Sequence, residues 1–265
     1  MSEKNPAPSR PPRLLVPELA EQRAASEENP GEEILLRREE REHVRSRRLR
    51  DGDEVVALDG KGARAAAVVA RDGTAIALLP SKRSSSSSFS SSSVPLPGEP
   101  ANRVVVALAC AEPARVEWAI EKGTECGAAG FILLDAERSQ RSHVAALSKR
   151  IPRLVRVAEE ATKQCDRTIV PFVEGPKSTE EFLRGLGGER LIVADPASVS
   201  SASVASGPLL GAEAVVLAIG PEGGFTPAEI SLFEENSSLF FSLGSRILRL
   251  ETAVVVALAK LVDPA

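Results

Sequence analysis

Aromatic side chains are scarce in this chain: there is no tyrosine, a single tryptophan, Trp118, and 3% aromatics in all. Aliphatic residues must therefore fill any core, and a base-stacking platform built from several aromatics is not expected. Cysteine is also thin. Cys110, Cys126 and Cys165 lie far apart with no CxxC pair. That usage fits a reducing compartment and argues against a structural zinc site, so no metal is expected. No segment approaches eighteen unbroken apolar residues, and MSEKNPAPSRPPR at the start has no signal-peptide apolar stretch. A soluble, cytoplasmic protein with no membrane partner is the expectation. Excess positive charge is missing too, the net charge being −4. A nucleic-acid binder is not what that balance favours, although local patches matter more than totals.

What is present is 265 residues with 43% hydrophobic content, enough for one large domain or a medium domain with a small one. Residues 1–12 are Pro-rich and polar and are expected to be disordered. The segment ILLRREEREHVRSRRLR, 34–50, carries seven arginines against three glutamates. Next, DGDEVVALDGKGARAAAVVARDGTAIALLP breaks short apolar runs with Asp-Gly and Gly, the signature of small antiparallel strands and hairpin turns. Residues 13–80 read as a small β domain. In 84–93, nine of ten residues are serine. No core can come from that, so 81–100 reads as a linker. Beyond it, RVVVALAC, GFILLD, TIVPFVE, RLIVAD, AVVLAIG and LFFSLG alternate with helix-like segments. These runs do not alternate with polar residues, which predicts strands buried on both faces in a mostly parallel sheet covered by helices, an α/β domain over 101–265.

Within that domain, AVVLAIG ends at Gly220 and runs into Pro-Glu-Gly-Gly. Thr226-Pro227-Ala228-Glu229 then reads as a capping box, with Thr226 as N-cap, Pro227 at N1 and Glu229 at N3. The loop thus sits at the carboxyl end of a parallel strand, where ligands bind in open α/β sheets. It is either a plain strand-to-helix turn or a ligand cradle. GxGxxG is absent, no Lys-Ser/Thr follows the glycines, and Glu222 would repel a phosphate, so a dinucleotide or nucleotide site is not indicated. A second stretch, FFSLGSRILRLETAVVVALAKLV, also runs strand, Gly244, connector SRILRL and then a small-residue helix, with a strand as the alternative over the β-branched run Val254 to Val256. Two Gly-ended strands beside each other would offer backbone groups to one flat, neutral ligand.

The pair IGPEGGFTPAEI and LGSRILRLETA resembles the signature of the 16S rRNA (uracil-N3)-methyltransferase family, RsmE, of the SPOUT superfamily. EKGTECGAAGFILLDAERS and EEATKQCDRTIVP are similar to two further family segments. His43 followed by RLRDGDEVVALDG resembles the family's PUA-like β domain. The chain departs from the usual pattern at Ser245 (usually Pro), Leu250 (usually Thr) and Ala114-Arg115 (usually Lys-Gly).

The resemblance implies a C-terminal SPOUT-type parallel sheet with a deep trefoil knot, a PUA-like N-terminal domain and a homodimer. It implies S-adenosyl-L-methionine as cofactor, lined by Ile219, Gly220, Gly224, Leu243, Gly244, Ile247 and Leu248. The reaction implied is methyl transfer to N3 of a uridine in small-subunit ribosomal RNA. A neutral uridine is a poor nucleophile at N3, so the proton must be removed or the uridinate stabilised. Arg246 and Arg249 are the electrostatic candidates, and Glu222 or Glu251 the candidate proton acceptor or arginine orienter. Glu251 would also serve simply by complementing the positive end of the last helix. Arg37, Arg38, Arg45, Arg48 and Arg50 are the candidate grip on RNA phosphates. His43 is either structural or part of that surface, and Arg167 and Gln164 are candidates to approach the site. Two other readings stay open: a non-catalytic RNA-binding protein with the same fold, and an enzyme methylating another RNA position such as a ribose 2′-hydroxyl.

Overall fold

The computed structural model describes residues 10–21, 33–79, 98–195 and 214–262. Most of the expected disordered start and of the serine-rich linker lies outside them. The chain divides into two compact units, Met1–Val94 and Pro95–Ala265.

The first unit is a five-stranded sheet in the order β1 (Arg13–Leu15), β3 (Glu54–Leu58), β4 (Arg64–Ala70), β5 (Ala75–Leu78), β2 (Glu33–Leu35). The neighbours are antiparallel except β1 and β3, which run parallel. The expected Asp-Gly turn joins β4 to β5, with Arg71, Asp72 and Gly73 all at positive φ, as a tight hairpin requires. Leu14, Ile34, Val55, Ala67, Val69 and Ile76 form the core. The arginine-rich segment is helix α1 (Arg38–Ser46), which buries little besides Val44 and Glu40. Its other side chains, apart from the half-buried His43, are left to solvent.

The second unit is an all-parallel, six-stranded sheet in the order β11 (Leu239–Phe241), β9 (Arg190–Ala194), β10 (Ala214–Ile219), β6 (Arg103–Ala109), β7 (Gly130–Asp135), β8 (Phe172–Ser178). The helices are α2 (Pro113–Glu125), α3 (Arg141–Ser148), α4 (Ile151–Cys165), α5 (Thr179–Arg184), α6 (Pro227–Glu235) and α7 (Leu250–Leu261). Val104–Ala109 are all buried, as expected of a strand covered on both faces. α7 packs on α2 and reaches β6 and β10, so ETAVVVALAKLV is helical despite its β-branched run.

Three expectations need correcting. The strand expected at Thr168–Glu174 begins only at Phe172, because Pro171 has no N–H to give a ladder and Glu99 already holds the preceding backbone. Second, residues 98–100 are part of this unit, not linker. Glu99 Oε1 accepts the N–H of Thr168 (2.7 Å) and Ile169 (2.9 Å), and its Oε2 accepts Arg167 Nη2 (2.8 Å) and Nε (3.0 Å). Arg167 Nη1 donates to the carbonyls of Thr124 (3.0 Å) and Ala128 (2.7 Å). Arg167 is therefore a buried tie between β8, α2 and the chain's entry into the unit, not a site residue, and Gln164 is exposed on α4. Third, β9 lies between β10 and β11, so the two Gly-ended strands are not adjacent. Two strand spacings put them about 10 Å apart at the same carboxyl edge.

Because Arg167 and Glu99 are both buried, removing one strands the other's charge. Arg167→Ala is expected to lower unfolding free energy by about 3–5 kcal/mol, read from the urea midpoint. A loss below about 1 kcal/mol would contradict the assigned role.

Candidate functional site

The carboxyl ends of β10 and β11 feed the two loops singled out above. After Ile219, the chain makes the Gly-Pro-Glu-Gly-Gly loop and enters α6 through the expected capping box. Thr226 Oγ1 accepts Glu229 N–H (3.3 Å), and Glu229 Oε2 accepts Thr226 N–H (2.9 Å). Glu229 does more than cap. It is buried, and its Oε1 accepts the Thr179 hydroxyl (2.8 Å) and the Glu137 N–H (3.0 Å). Thr226 Oγ1 in turn donates to Glu137 Oε2 (2.7 Å). One carboxylate thus pins three segments together: the start of α6, the start of α5 and the loop after β7.

From that last loop, Arg138 Nη1 donates to the carbonyls of Gly223 (2.6 Å) and Phe225 (3.3 Å). The carbonyls on either side of Gly224 are therefore held from outside. Gly224 itself has φ +70°, and a Cβ built on it would meet nothing within 4 Å. Gly244, after β11, has φ +119° and the same open space. Both positions need glycine for their conformation, and both leave a bare strip of backbone. That emptiness fits a ligand approached by main-chain groups. Phe225 packs edge-on against Phe233 of α6, ring centroids 4.8 Å apart, and anchors the loop's far end in the core.

The remaining candidates separate clearly. Ile219 is buried in the core, so only its backbone faces outward, and Gly220 is half-buried. Leu243 and Leu248 are half-buried against the core, whereas Ile247 is 89% exposed. Ser245 is exposed, and Leu250, in place of the usual Thr, is buried. Arg246 and Arg249 are exposed and engage no carboxylate among the described residues. Arg249 is also the N-cap position of α7, its carbonyl accepting Ala253 N–H (2.8 Å). Glu222 is paired with Arg115 of α2, Nη1 to Oε1 at 2.9 Å. Glu251 is half-buried in the first turn of α7, and its Oε2 is shut from solvent with no hydrogen-bond donor.

In the first unit, Arg37 pairs with Glu18 (2.5 Å) and Arg38 with Glu42 (3.0 Å). Arg45, Arg48 and Arg50 are exposed and make no ion pair among the described residues. His43 is half-buried. No group of three or more His, Cys, Asp or Glu that could hold a metal ion occurs among the described residues, and no described helix is long and apolar enough to cross a membrane.

The family model described as an RNA methyltransferase domain matches residues 98–262. The ribosomal RNA small subunit methyltransferase E of Bacillus subtilis is 33% identical over 164 residues, 59% of this chain and 64% of that protein. The protein of the same name from Mycobacterium bovis is 32% identical over 219 residues, 80% of this chain and 79% of the relative. This chain belongs to the ribosomal RNA small subunit methyltransferase E family. A Legionella pneumophila structure, described as a methyltransferase in complex with the cofactor SAM, superposes at a TM-score of 0.75 with 26% identity. The match covers 96% of this chain and 97% of that one.

For a member of the methyltransferase E family, the residues that sequence reasoning missed are the braces: Arg115, Glu137, Arg138 and Thr179. Arg138 lies in the Glu-Arg-Ser segment that carried part of the resemblance, but its partners are 85 and 87 positions away. A cation just past a strand's carboxyl end was the only local signal.

Two outcomes are expected. Arg138→Ala should leave the fold intact and loosen the glycine loop, raising the dissociation constant for S-adenosylmethionine by roughly tenfold, about the value of one charged hydrogen bond; calorimetry reads this, and an unchanged constant would contradict the brace. Cys110, beside the site at the end of β6, has its thiol pushed up to about 12, by burial and then by the charge of Asp135. Burial raises Cys126 and Cys165 as well. Since the thiolate is the reactive form, a disulfide reagent at pH 8 should modify native thiols slowly, Cys110 last. Fast modification of all three would contradict the packing.

Proposed function

We propose that this protein transfers a methyl group from S-adenosylmethionine to N3 of a uridine in small-subunit ribosomal RNA. The observation that carries the reading is the pair of bare glycine loops at one sheet edge, the second of which bears two arginines that engage no carboxylate among the described residues and leads into Glu251, one oxygen of which meets no described donor. The cofactor is held by main-chain groups around Gly220, Gly224 and Gly244, with Leu243 and Leu248 supplying apolar contact. Ile247 is covered only once the site is filled. When bound, S-adenosylmethionine supplies an electrophilic methyl group on a cationic sulfur.

The chain's own residues then have to make N3 nucleophilic. Arg246 and Arg249, which engage no carboxylate among the described residues, stabilise the negative charge that spreads onto O2 and O4 of the uracil as the proton leaves. Glu251 is the better placed of the two candidate acids to take that proton. Glu222 is occupied by the Arg115 guanidinium, whereas Oε2 of Glu251, buried until the α7 start opens to substrate, meets no donor among the described residues. Arg45, Arg48 and Arg50 grip RNA phosphates without reading sequence.

The finer architecture is part of the same proposal. The return of the chain from β11 at the sheet edge to α7 over β6 and β10 supports a trefoil knot. The small five-stranded first unit supports a PUA-like RNA-binding domain, 13–80. Exposed Trp118 in the second unit supports a homodimer, and a ribosomal substrate supports a cytoplasmic location.

The test is transfer of labelled methyl groups to small subunits lacking the modification, followed by nucleoside mass analysis. Label is expected as 3-methyluridine. Arg249→Ala and Glu251→Gln should each lower kcat by about 10²–10³-fold while cofactor affinity stays within about twofold. Label on a ribose 2′-oxygen, or cofactor binding with no label on any RNA, would overturn the assignment.

A further inference from the structure

A second basic surface lies on the methyltransferase unit itself. From Arg138 to Ala158 the sequence has six lysines and arginines and no aspartate or glutamate, within a chain whose net charge is −4. The structure sorts these cations. Arg138 is used up in bracing the glycine loop, and Arg141 is paired with Asp135. The other four, Lys149, Arg150, Arg153 and Arg156, are exposed at the two-residue junction of α3 and α4 and along the first turns of α4. One carboxylate answers them. Glu117 of α2 accepts Arg153 Nε at 2.8 Å and Nη2 at 2.8 Å, and Arg150 Nη1 at 3.4 Å. The two guanidiniums hold its carboxyl below the ordinary glutamate range, Arg153 contributing most. Lys149 and Arg156 have no ion-pair partner among the described residues.

Folding alone does not explain this arrangement. α4 buries Leu154, Ala158, Ala161, Thr162 and Lys163, whereas Arg153 and Arg156 are exposed and add nothing to the core. They also crowd the amino end of a fifteen-residue helix that has no acid in its first turn, where the peptide dipoles already present positive charge. Glu117 meets Arg150 and Arg153, which leaves Lys149 and Arg156 with no anion among the described residues. Lys149 to Arg156 spans about 10 Å along the axis, a length over which one nucleic-acid strand sets about three phosphates. Arginine forks suit phosphate oxygens.

We infer that the α3–α4 junction is an RNA-backbone docking surface, in which Lys149 and Arg156, flanked by the Glu117-paired Arg150 and Arg153, bind phosphates of the substrate RNA outside the target nucleotide. This rests on the reading of the protein as an RNA-modifying enzyme. The contact reads no bases and adds affinity and salt dependence only.

The test is the double variant Lys149→Ala/Arg156→Ala, which removes the two unpaired cations and no buried contact. Binding to a protein-free small-subunit rRNA fragment is followed by fluorescence anisotropy from low to moderate salt, with no methyl donor present. Expected are about tenfold weaker binding at low salt and a slope of log affinity against log salt shallower by about 1.5. Affinity for S-adenosylmethionine should not change. Unchanged affinity and slope would overturn the inference. Loss seen only on intact subunits and not on bare RNA would overturn it as well, since the partner would then be an acidic protein surface. Because no methyl transfer occurs in this assay, its failure is separable from failure of the proposed reaction.

Discussion

Glu229 is the residue on which the rest of the site depends. A buried carboxylate is expensive unless donors surround it, and here the donors come from three places: the N-cap of α6, the loop after β7 and the hydroxyl of Thr179 at the start of α5. Satisfying one charge therefore fixes three chain segments together. The glycine loop is free of side chains on its outer face because its shape is imposed from behind, by this carboxylate and by Arg138. A bare backbone cradle cannot hold itself, having neither bulk nor rotamers to lock. The bracing network supplies the rigidity that glycine gives up.

The same division of labour runs through the second unit. The sheet is aliphatic and sealed on both faces, with its chemistry confined to the carboxyl edge, as open parallel sheets require. Polar groups inside the unit serve architecture. The Arg167–Glu99 pair ties β8, α2 and the start of the unit, and every one of its strong donors is answered. Polar groups at the edge are answered only in part among the described residues: Arg246 and Arg249 engage no carboxylate, and the buried Oε2 of Glu251 meets no donor. Incomplete satisfaction is what distinguishes a group waiting for a ligand from one that holds the fold.

Much of this was legible in the residues. Uniform apolar runs announced a parallel sheet, because strands covered on both faces have no polar side to alternate with. Thr226-Pro227-Ala228-Glu229 announced the start of α6, since capping is local chemistry. The strand order was not legible: that β9 separates β10 from β11 is a matter of pairing over long sequence distances, to which no local pattern responds. For the same reason Arg167 could be noticed but not assigned. Its partners are 68, 43 and 39 positions away. The resemblance pointed to it as a possible site residue, and only burial shows it to be structural. Arg115 stood out only as a departure from the family pattern and Arg138 only as part of a matching segment, because what they hold lies 107 and 85 positions away.

The central claim is that the two loops, one after β10 and one after β11, form a single cofactor cradle across the end of β9. Amide hydrogen exchange with and without S-adenosylmethionine tests this most directly. The account predicts that peptides covering 219–226 and 242–250 gain protection together, while those covering 38–50 and 149–156 do not change. Protection confined to one loop, or appearing at neither, would contradict it.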